Sequence, residues 1–174
     1  MQPDKHLDKL RDFSSQLTER LKAAPAAPST SLRLAVRIGA KSYLVDMGSA
    51  GEIVPLGDVA PVPWTKPWYR GLTNVRGRLV GVIDLPHFSG AAPLNAEQGQ
   101  QLLVIGEALK SSAALIITRA FGLRNLKELE PLDTVTDGSR PWEVGRYRDS
   151  DGTVLTELDL TRLVSFERFN AIGI

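Results

Sequence analysis

The stretch "WYRGLTNVRGRLVGVIDL", residues 68–85, says more about the fold than any other part of the sequence. Its first half combines arginines and glycines with two aromatic residues, and no acid appears before Asp84. Its second half is almost continuously apolar, which is typical of a strand buried on both faces. The "VRGR" segment between the halves predicts a hairpin turn, because glycine adopts the positive φ that tight turns need.

Strand-like alternation continues on the N-terminal side of this stretch. "LRLAVRI" at 32–38 and "SYLVDM" at 42–47 alternate apolar with polar residues and predict a hairpin, and "GEIVPL" at 51–56 predicts a further short strand. A proline-rich loop follows, because "VAPVPWTKPW" holds too many prolines for a regular element.

A similar order of segments recurs in the second half of the chain. "QLLVIG" and "SSAALIIT" predict a second hairpin, and "WEVGRYR", "DSDG" and "TVLTELDL" echo the opening stretch down to the closing Asp-Leu. The repeat predicts a mainly β protein of two small barrels packed together, at about residues 32–90 and 100–160. A short closing helix is expected at 161–170, capped by Asp159 or Thr161.

The N-terminal segment differs in character from the rest. Residues 1–24 place leucines at spacings of three and four among charged residues, which predicts an amphipathic helix. Residues 25–31, rich in alanine and proline, predict a linker. Two interpretations of the helix remain open: it docks on its own domain, or it binds a partner or a second copy of the chain.

Composition excludes several classes of function. The formal net charge of +1 is too small for a dedicated nucleic-acid or membrane-surface protein, and the absence of cysteine removes thiol chemistry. No phosphate-binding loop, dinucleotide fingerprint or zinc motif is present, and the two histidines lie far apart in the sequence. We therefore expect no catalytic residue, no metal, no cofactor and no small-molecule substrate. No apolar run is long enough to span a membrane, which predicts a soluble protein, and a reducing cytoplasm is compatible with the absence of cysteine.

The cations of the opening region leave one alternative function. Lys66, Arg70, Arg76 and Arg78 lie close to aromatic residues, a combination that single-stranded nucleic-acid binders use for stacking. The patch is short, and acids elsewhere in the chain compensate it. The aromatic residues are more simply interpreted as core, and nucleic acid is not the expected partner.

The same residues resemble a known family. Gly71, Asn74, Arg76 and Gly77, followed by "VIDL" at 82–85, are similar to the central motif of the CheW-like scaffold family of bacterial chemosensory systems. The resemblance covers about residues 32–164. It implies two SH3-like five-stranded barrels without catalysis, and partners that are a CheA-type histidine kinase, through its regulatory domain, and the cytoplasmic tip of a chemoreceptor.

The resemblance also implies which residues bind partners. Glu52 stands where the family carries an acidic residue, and we hypothesise that it pairs with Arg76 to fix the turn that the receptor contacts. Arg70 matches a basic family position at the edge of that surface, and Ala50 matches a position near the receptor contact. The expected partner-binding residues are Ala50, Glu52, Arg70, Gly71, Asn74, Arg76 and Gly77.

Departures from the family pattern indicate which branch of the family this chain resembles. Gly81 replaces a proline, and the strand continues into "PHFSG", a form that resembles the twitching-motility (PilI-type) adaptors of type IV pilus systems. Arg119 and Ala120 replace another family motif in the second half, so kinase or receptor contacts there are open. The resemblance implies a cytoplasmic adaptor that meets the membrane only through the receptor array.

Overall fold

The computed structural model describes residues 31–134 and 138–174 of the chain. The predicted helix at 1–24, and the predicted linker apart from Ser31, lie outside these residues. Residues 32–174 form one compact unit, and all elements below belong to it.

The described residues contain eleven strands and a few short helices. The strands are β1 Leu32–Ile38, β2 Lys41–Asp46, β3 Ala50–Pro55, β4 Tyr69–Val75, β5 Arg78–Ile83, β6 Gln101–Ile105, β7 Ala113–Ile117, β8 Arg119–Asn125, β9 Glu130–Asp133, β10 Glu143–Arg148 and β11 Val154–Leu158. The α-helices are α1 Leu85–Phe88, α2 Leu160–Ser165 and α3 Glu167–Asn170, and two 3-10 turns lie at Glu107–Leu109 and Leu126–Glu128. The prediction of a mainly β protein is confirmed.

The strands form two sheets. The six-stranded sheet has the order β8-β1-β2-β11-β10-β9, and the five-stranded sheet has the order β3-β6-β7-β5-β4. Two contacts are parallel, β2 with β11 and β5 with β7, and the other neighbours are antiparallel. The four predicted hairpins are present as β1–β2, β4–β5, β6–β7 and β10–β11.

The two halves of the sequence are related, but they exchange strands. In the six-stranded sheet, the hairpin β1–β2 from the first half lies between β8 and β11 from the second half. In the five-stranded sheet, β6–β7 from the second half lies between β3 and β5 from the first. The sheets therefore do not divide as the predicted barrels at 32–90 and 100–160 would. Sequence periodicity locates strands and their hairpin partners, but it contains no signal for these long-range pairings.

Closed five-stranded barrels are not confirmed. Within the described residues, no ladder joins the two edge strands of either sheet, and the first sheet has six strands instead of five. The edges of the five-stranded sheet approach through an isolated bridge between Ala60, which follows β3, and Leu72 of β4. Pro55 is the last residue of β3, and Pro61 and Pro63 lie in the segment after it. Prolines cannot donate to a continuous ladder.

The main hydrophobic core connects the two sheets. Its buried members include residues of β1 and β2 on one side and of β5, β6 and β7 on the other: Val36, Ile38, Tyr43, Val45, Ile83, Leu103, Ile105, Ala113, Leu115 and Ile117. Each sheet also has a smaller buried cluster of its own. The sheets are therefore held together mainly by apolar burial, which is the dominant favourable contribution to folding.

Equivalent tryptophans precede the related hairpins. The Trp68 carbonyl accepts a hydrogen bond from the Asp84 amide at 2.9 Å, and the Trp142 carbonyl accepts one from the Asp159 amide at 2.8 Å. Trp68 is 7% exposed and Trp142 is 1% exposed, so both are core residues. The two halves of the chain therefore share this backbone hydrogen bond as well as their sequence pattern.

The C-terminal helix differs in detail from the prediction. Asp159 caps α2 by accepting from the Arg162 amide, as predicted, but the helix ends at Ser165. Phe166 has extended backbone (φ −74°, ψ 125°), and a second short helix, α3, follows it. The break allows the Phe166 ring to pack at 5.1 Å from the Trp142 ring, so tertiary packing overrides the continuous helix expected at 161–170.

Candidate functional site

The turn between β4 and β5 is formed by Arg76 and Gly77. Both have positive φ, 51° and 84°, as in the two-residue turns that match the twist of a hairpin. The Asn74 side chain accepts a hydrogen bond from the Gly77 amide at 2.8 Å. Positive φ is unfavourable for an arginine, so the surrounding contacts must hold this residue in place.

The predicted pair between Glu52 and Arg76 is present. Arg76 Nε donates to Glu52 Oε2 at 2.6 Å, and the arginine side chain is 76% exposed. Glu52 lies on β3 and Arg76 at the end of β4, the two edge strands of the five-stranded sheet. An exposed pair contributes only about 0–1 kcal/mol to stability, so its main effect is to position the turn.

Most of the Arg76 guanidinium remains available. Its hydrogen bonding within the described residues uses Nε, and no contact of its Nη groups appears there. A guanidinium carries five N–H donors in a planar fork suited to carboxylates and carbonyls. The site therefore presents an oriented cation at the protein surface.

A bulge in β3 orients Glu52. The pairing of β3 with β6 shifts register between Ala50 and Ile53, so Glu52 lies inside the irregularity. Gly51 permits this close packing, because a Cβ atom there would lie 2.9 Å from the Val104 carbonyl oxygen. Bulges commonly redirect a side chain, and here the redirected side chain contacts the turn. Ala50 is half-buried beside it.

Gly71 lies inside the fold and not on the surface. Its φ is +135°, and a Cβ atom there would approach the Ala60 carbonyl oxygen to 2.2 Å. The Leu72 amide donates to that same carbonyl at 2.9 Å. Glycine at this position thus allows the segment after β3 to lie against β4, so Gly71 supports the site from beneath.

Arg70 has a partner that the sequence did not suggest. Its Nη1 lies 3.3 Å from Oδ2 of Asp84, whose side chain is fully buried. Asp84 also accepts from the amides of His87 and Leu94, at 3.0 and 2.9 Å. A buried carboxylate needs such partners. The available signal was Asp84 directly after a buried strand and before Pro86, a typical helix N-cap position.

Three of the four cations of this region are engaged in ion pairs. Arg78 forms an ion pair with Glu107, and Arg70 and Arg76 are paired with Asp84 and Glu52. Trp68 is buried and cannot stack on a base, although Trp64 is 84% exposed. The geometry therefore does not favour the nucleic-acid alternative.

Tyr69 covers Gly81 at the opposite end of this hairpin. A Cβ atom at Gly81 would lie 2.8 Å from the Tyr69 ring, and burial raises the pKa of the Tyr69 phenol. The Gly81 amide donates to the Ser112 carbonyl at 2.8 Å, a bond that proline could not make. Glycine at position 81, in place of the proline of the family pattern, thus leaves room for the Tyr69 ring and keeps the amide that donates to Ser112.

In the part of the chain that the structure describes, no group of three or more His, Asp or Glu side chains is arranged to hold a metal ion. No helix among the same residues is long and apolar enough to cross a membrane.

Comparison with known proteins identifies the family. The family model of the CheW-like domain matches residues 33–168, which is most of the chain. The chain belongs to the CheW family. Members of this family are non-enzymatic scaffold proteins of chemotaxis-type systems, so the resemblance inferred from the hairpin motif is confirmed.

Individual relatives agree with this assignment. Protein PilI of Pseudomonas aeruginosa is 30% identical over 74% of this chain and 69% of its own length. Chemotaxis protein CheW of Thermotoga maritima is 21% identical over 75% of this chain and 85% of its own length. The crystal structure of the scaffolding protein TtCheW from Thermoanaerobacter tengcongensis has the same fold, with a TM-score of 0.61 and 19% identity, covering 73% of this chain and 87% of that one.

Proposed function

We propose that this CheW-family protein is a cytoplasmic adaptor that couples a chemoreceptor to a CheA-type histidine kinase in a type IV pilus twitching-motility system. It would contact the cytoplasmic tip of the receptor and the regulatory domain of the kinase, and would reach the membrane only through them. The observation that carries the proposal is the glycine-supported turn on which Glu52 holds Arg76 exposed. The relative named PilI supports the choice of system.

The site is suited to binding and not to catalysis. Ala50 is half-buried, Asn74 is exposed and Arg76 still has free N–H donors, so the surface combines a small apolar patch with a polar rim. Such a surface gives modest affinity in isolation. In a receptor array, many weak contacts add through multivalency, so a modest site suffices for an adaptor.

We expect the purified protein to bind both partners when it is titrated with the kinase regulatory domain and with a receptor cytoplasmic fragment. Arg76→Ala removes the oriented guanidinium, and affinity for at least one partner should fall about tenfold, since hydrogen bonds to a charged group contribute about 1.5–3 kcal/mol. Isothermal titration calorimetry measures both affinities.

Arg148→Ala is the matched control, because it removes an exposed arginine paired with Glu130 on the six-stranded sheet. Its affinities should equal those of the wild type. Failure of the wild-type protein to bind either partner would refute the adaptor proposal. Unchanged binding by Arg76→Ala would show instead that the turn is not the docking surface.

A further inference from the structure

Two arginines face each other on the six-stranded sheet. Arg37 of β1 and Arg119 of β8 are directly opposite in the antiparallel register, and both are exposed. Side chains in such positions lie on the same face with Cβ atoms about 5 Å apart, and like charges there repel. The sheet thus places two cations together where their mutual interaction is unfavourable.

Neither guanidinium forms an ion pair within the described residues. Arg119 instead lies over the Phe121 ring, 4.6 Å from its centroid, which orients the side chain. The other arginines of this sheet region are paired: Arg33 with Asp46 and Glu157, Arg124 with Asp149, and Arg146 with Asp133. Arg37 and Arg119 therefore stand out as unneutralised charges among neutralised ones.

The two arginines border a recess. A cavity of about 220 Å³ is lined by both of them together with Ser42 and Thr153, among others. A second, larger cavity of about 670 Å³ shares Arg37, Ser42 and Thr153, and includes Lys41. The two cavities therefore adjoin each other at Arg37, Ser42 and Thr153.

Acids at this recess are already engaged. Asp149 accepts from Arg124 at 2.8 Å and from the Ser150 amide at 2.7 Å, and Arg124 holds the pKa of that carboxyl below its usual range. Asp151 accepts from the Thr153 amide at 2.9 Å. The larger cavity is also lined by Asp133 and Glu143, which pair with Arg146 and Lys41. Among the described residues, none of these four acids forms an ion pair with Arg37 or Arg119, so the two guanidinium groups can accept an external anion.

We propose that Arg37 and Arg119 form a second docking surface, which binds the carboxylates of an acidic segment of a protein partner. The surface lies on the six-stranded sheet, apart from the Glu52–Arg76 turn on the five-stranded sheet, and does not depend on that turn's function. Side chains, and not strand addition, would make the contact, because β8 carries a bulge at Phe121 with Gly122 at φ +89°. A bulge of this kind blunts an edge strand.

The proposal also predicts an effect on thermal stability. If Arg37 and Arg119 serve binding and not folding, replacing one of them relieves their mutual repulsion in the unliganded protein. Arg119→Gln should therefore leave the melting temperature unchanged or raise it, despite the loss of the contact with Phe121. A clear fall in the melting temperature would assign Arg119 a structural role and overturn the proposal.

The direct test uses a hexaglutamate peptide as the probe at low ionic strength, followed by NMR or calorimetry on the full chain. The peptide should bind the wild type, and Arg37→Gln and Arg119→Gln should each weaken binding about tenfold, as expected for a lost charge-assisted contact. Binding should also weaken as salt is added. Lys127→Gln is the control, because Lys127 lies outside the recess and forms no ion pair within the described residues.

The controls separate the possible outcomes. Hexaglutamine should not bind, and Lys127→Gln should bind hexaglutamate like the wild type. The proposal is overturned if hexaglutamate does not bind, if the arginine variants bind it unchanged, or if Lys127→Gln weakens binding equally. It is also overturned if inorganic phosphate binds this recess and hexaglutamate does not, because the site would then be one for phosphate.

Discussion

Phe88→Ala is expected to lower the free energy of unfolding by about 3–5 kcal/mol, as measured for large core aromatics replaced by alanine. Phe88 is 1% exposed and lies at the centre of the aromatic cluster between the sheets. Its ring centroid is 4.9 Å from that of Trp68 and 5.1 Å from that of Trp142. These tryptophans precede equivalent hairpins of different sheets, so the cavity would open where the sheets meet.

Urea denaturation followed by tryptophan fluorescence measures this loss, since both buried tryptophans contact Phe88. Phe88→Leu keeps most of the volume and should cost clearly less than the alanine variant. Leu79→Ala provides a surface control, because Leu79 is 64% exposed and its removal should change stability by less than about 0.5 kcal/mol. If Phe88→Ala were as stable as Leu79→Ala, the aromatic cluster would not hold the sheets together.

Asp84→Ala is expected to lower the free energy of unfolding by about 3 kcal/mol. The substitution leaves the amides of His87 and Leu94 without their acceptor and removes the N-cap of α1. The bond from the His87 amide is the N-cap, whose loss costs about 1 kcal/mol, and the bond from the Leu94 amide to the buried carboxylate contributes about 1.5–3 kcal/mol. Arg70 loses its partner as well, at little cost, because its side chain is 37% exposed.

The related half of the chain provides a matched control. Asp159 caps α2 in the same way, through the Arg162 amide, but its side chain is 33% exposed. Asp159→Ala should therefore cost only about 1 kcal/mol. Chemical denaturation of both variants measures the difference. Equal losses would contradict the conclusion that burial of Asp84 makes its hydrogen bonds more important than those of Asp159.

The local parts of the fold were predictable from the sequence. Alternating residues and glycine turns identified the four hairpins, because each hairpin is determined by neighbouring residues. The exchange of β1–β2 and β6–β7 between the sheets was not predictable, since the parallel contacts β2–β11 and β5–β7 join residues that are far apart in sequence. The closing helix was predicted as continuous over 161–170, whereas the structure breaks it at Phe166. The residues around Phe166 give no sign in the sequence that its ring packs on Trp142.

The candidate site was also predictable from the sequence only in part. The pair of Glu52 and Arg76 was expected from the family resemblance, and the structure has it. Arg70 and Gly71 were expected at a binding surface; Arg70 is exposed and pairs with the buried Asp84, whereas Gly71 is buried against Ala60. Their roles depend on which side chains become buried, and burial results from the packing of whole sheets. Whether the seven proposed residues bind partners is a prediction that the binding experiments test.

The most direct test of the account is a charge exchange between Glu52 and Arg76, measured as affinity for the receptor fragment and the kinase domain. If the pair holds the turn in its docking orientation, Glu52→Arg alone should weaken binding about tenfold, because it replaces an ion pair with repulsion. Arg76→Glu alone should be at least as weak. The double variant re-forms the pair in reverse and should recover part of the loss caused by Arg76→Glu, because the turn is held again, but it should not exceed Glu52→Arg, because the guanidinium at position 76 is still absent. Binding that is unchanged in both single variants would contradict the claim that this turn presents the docking surface.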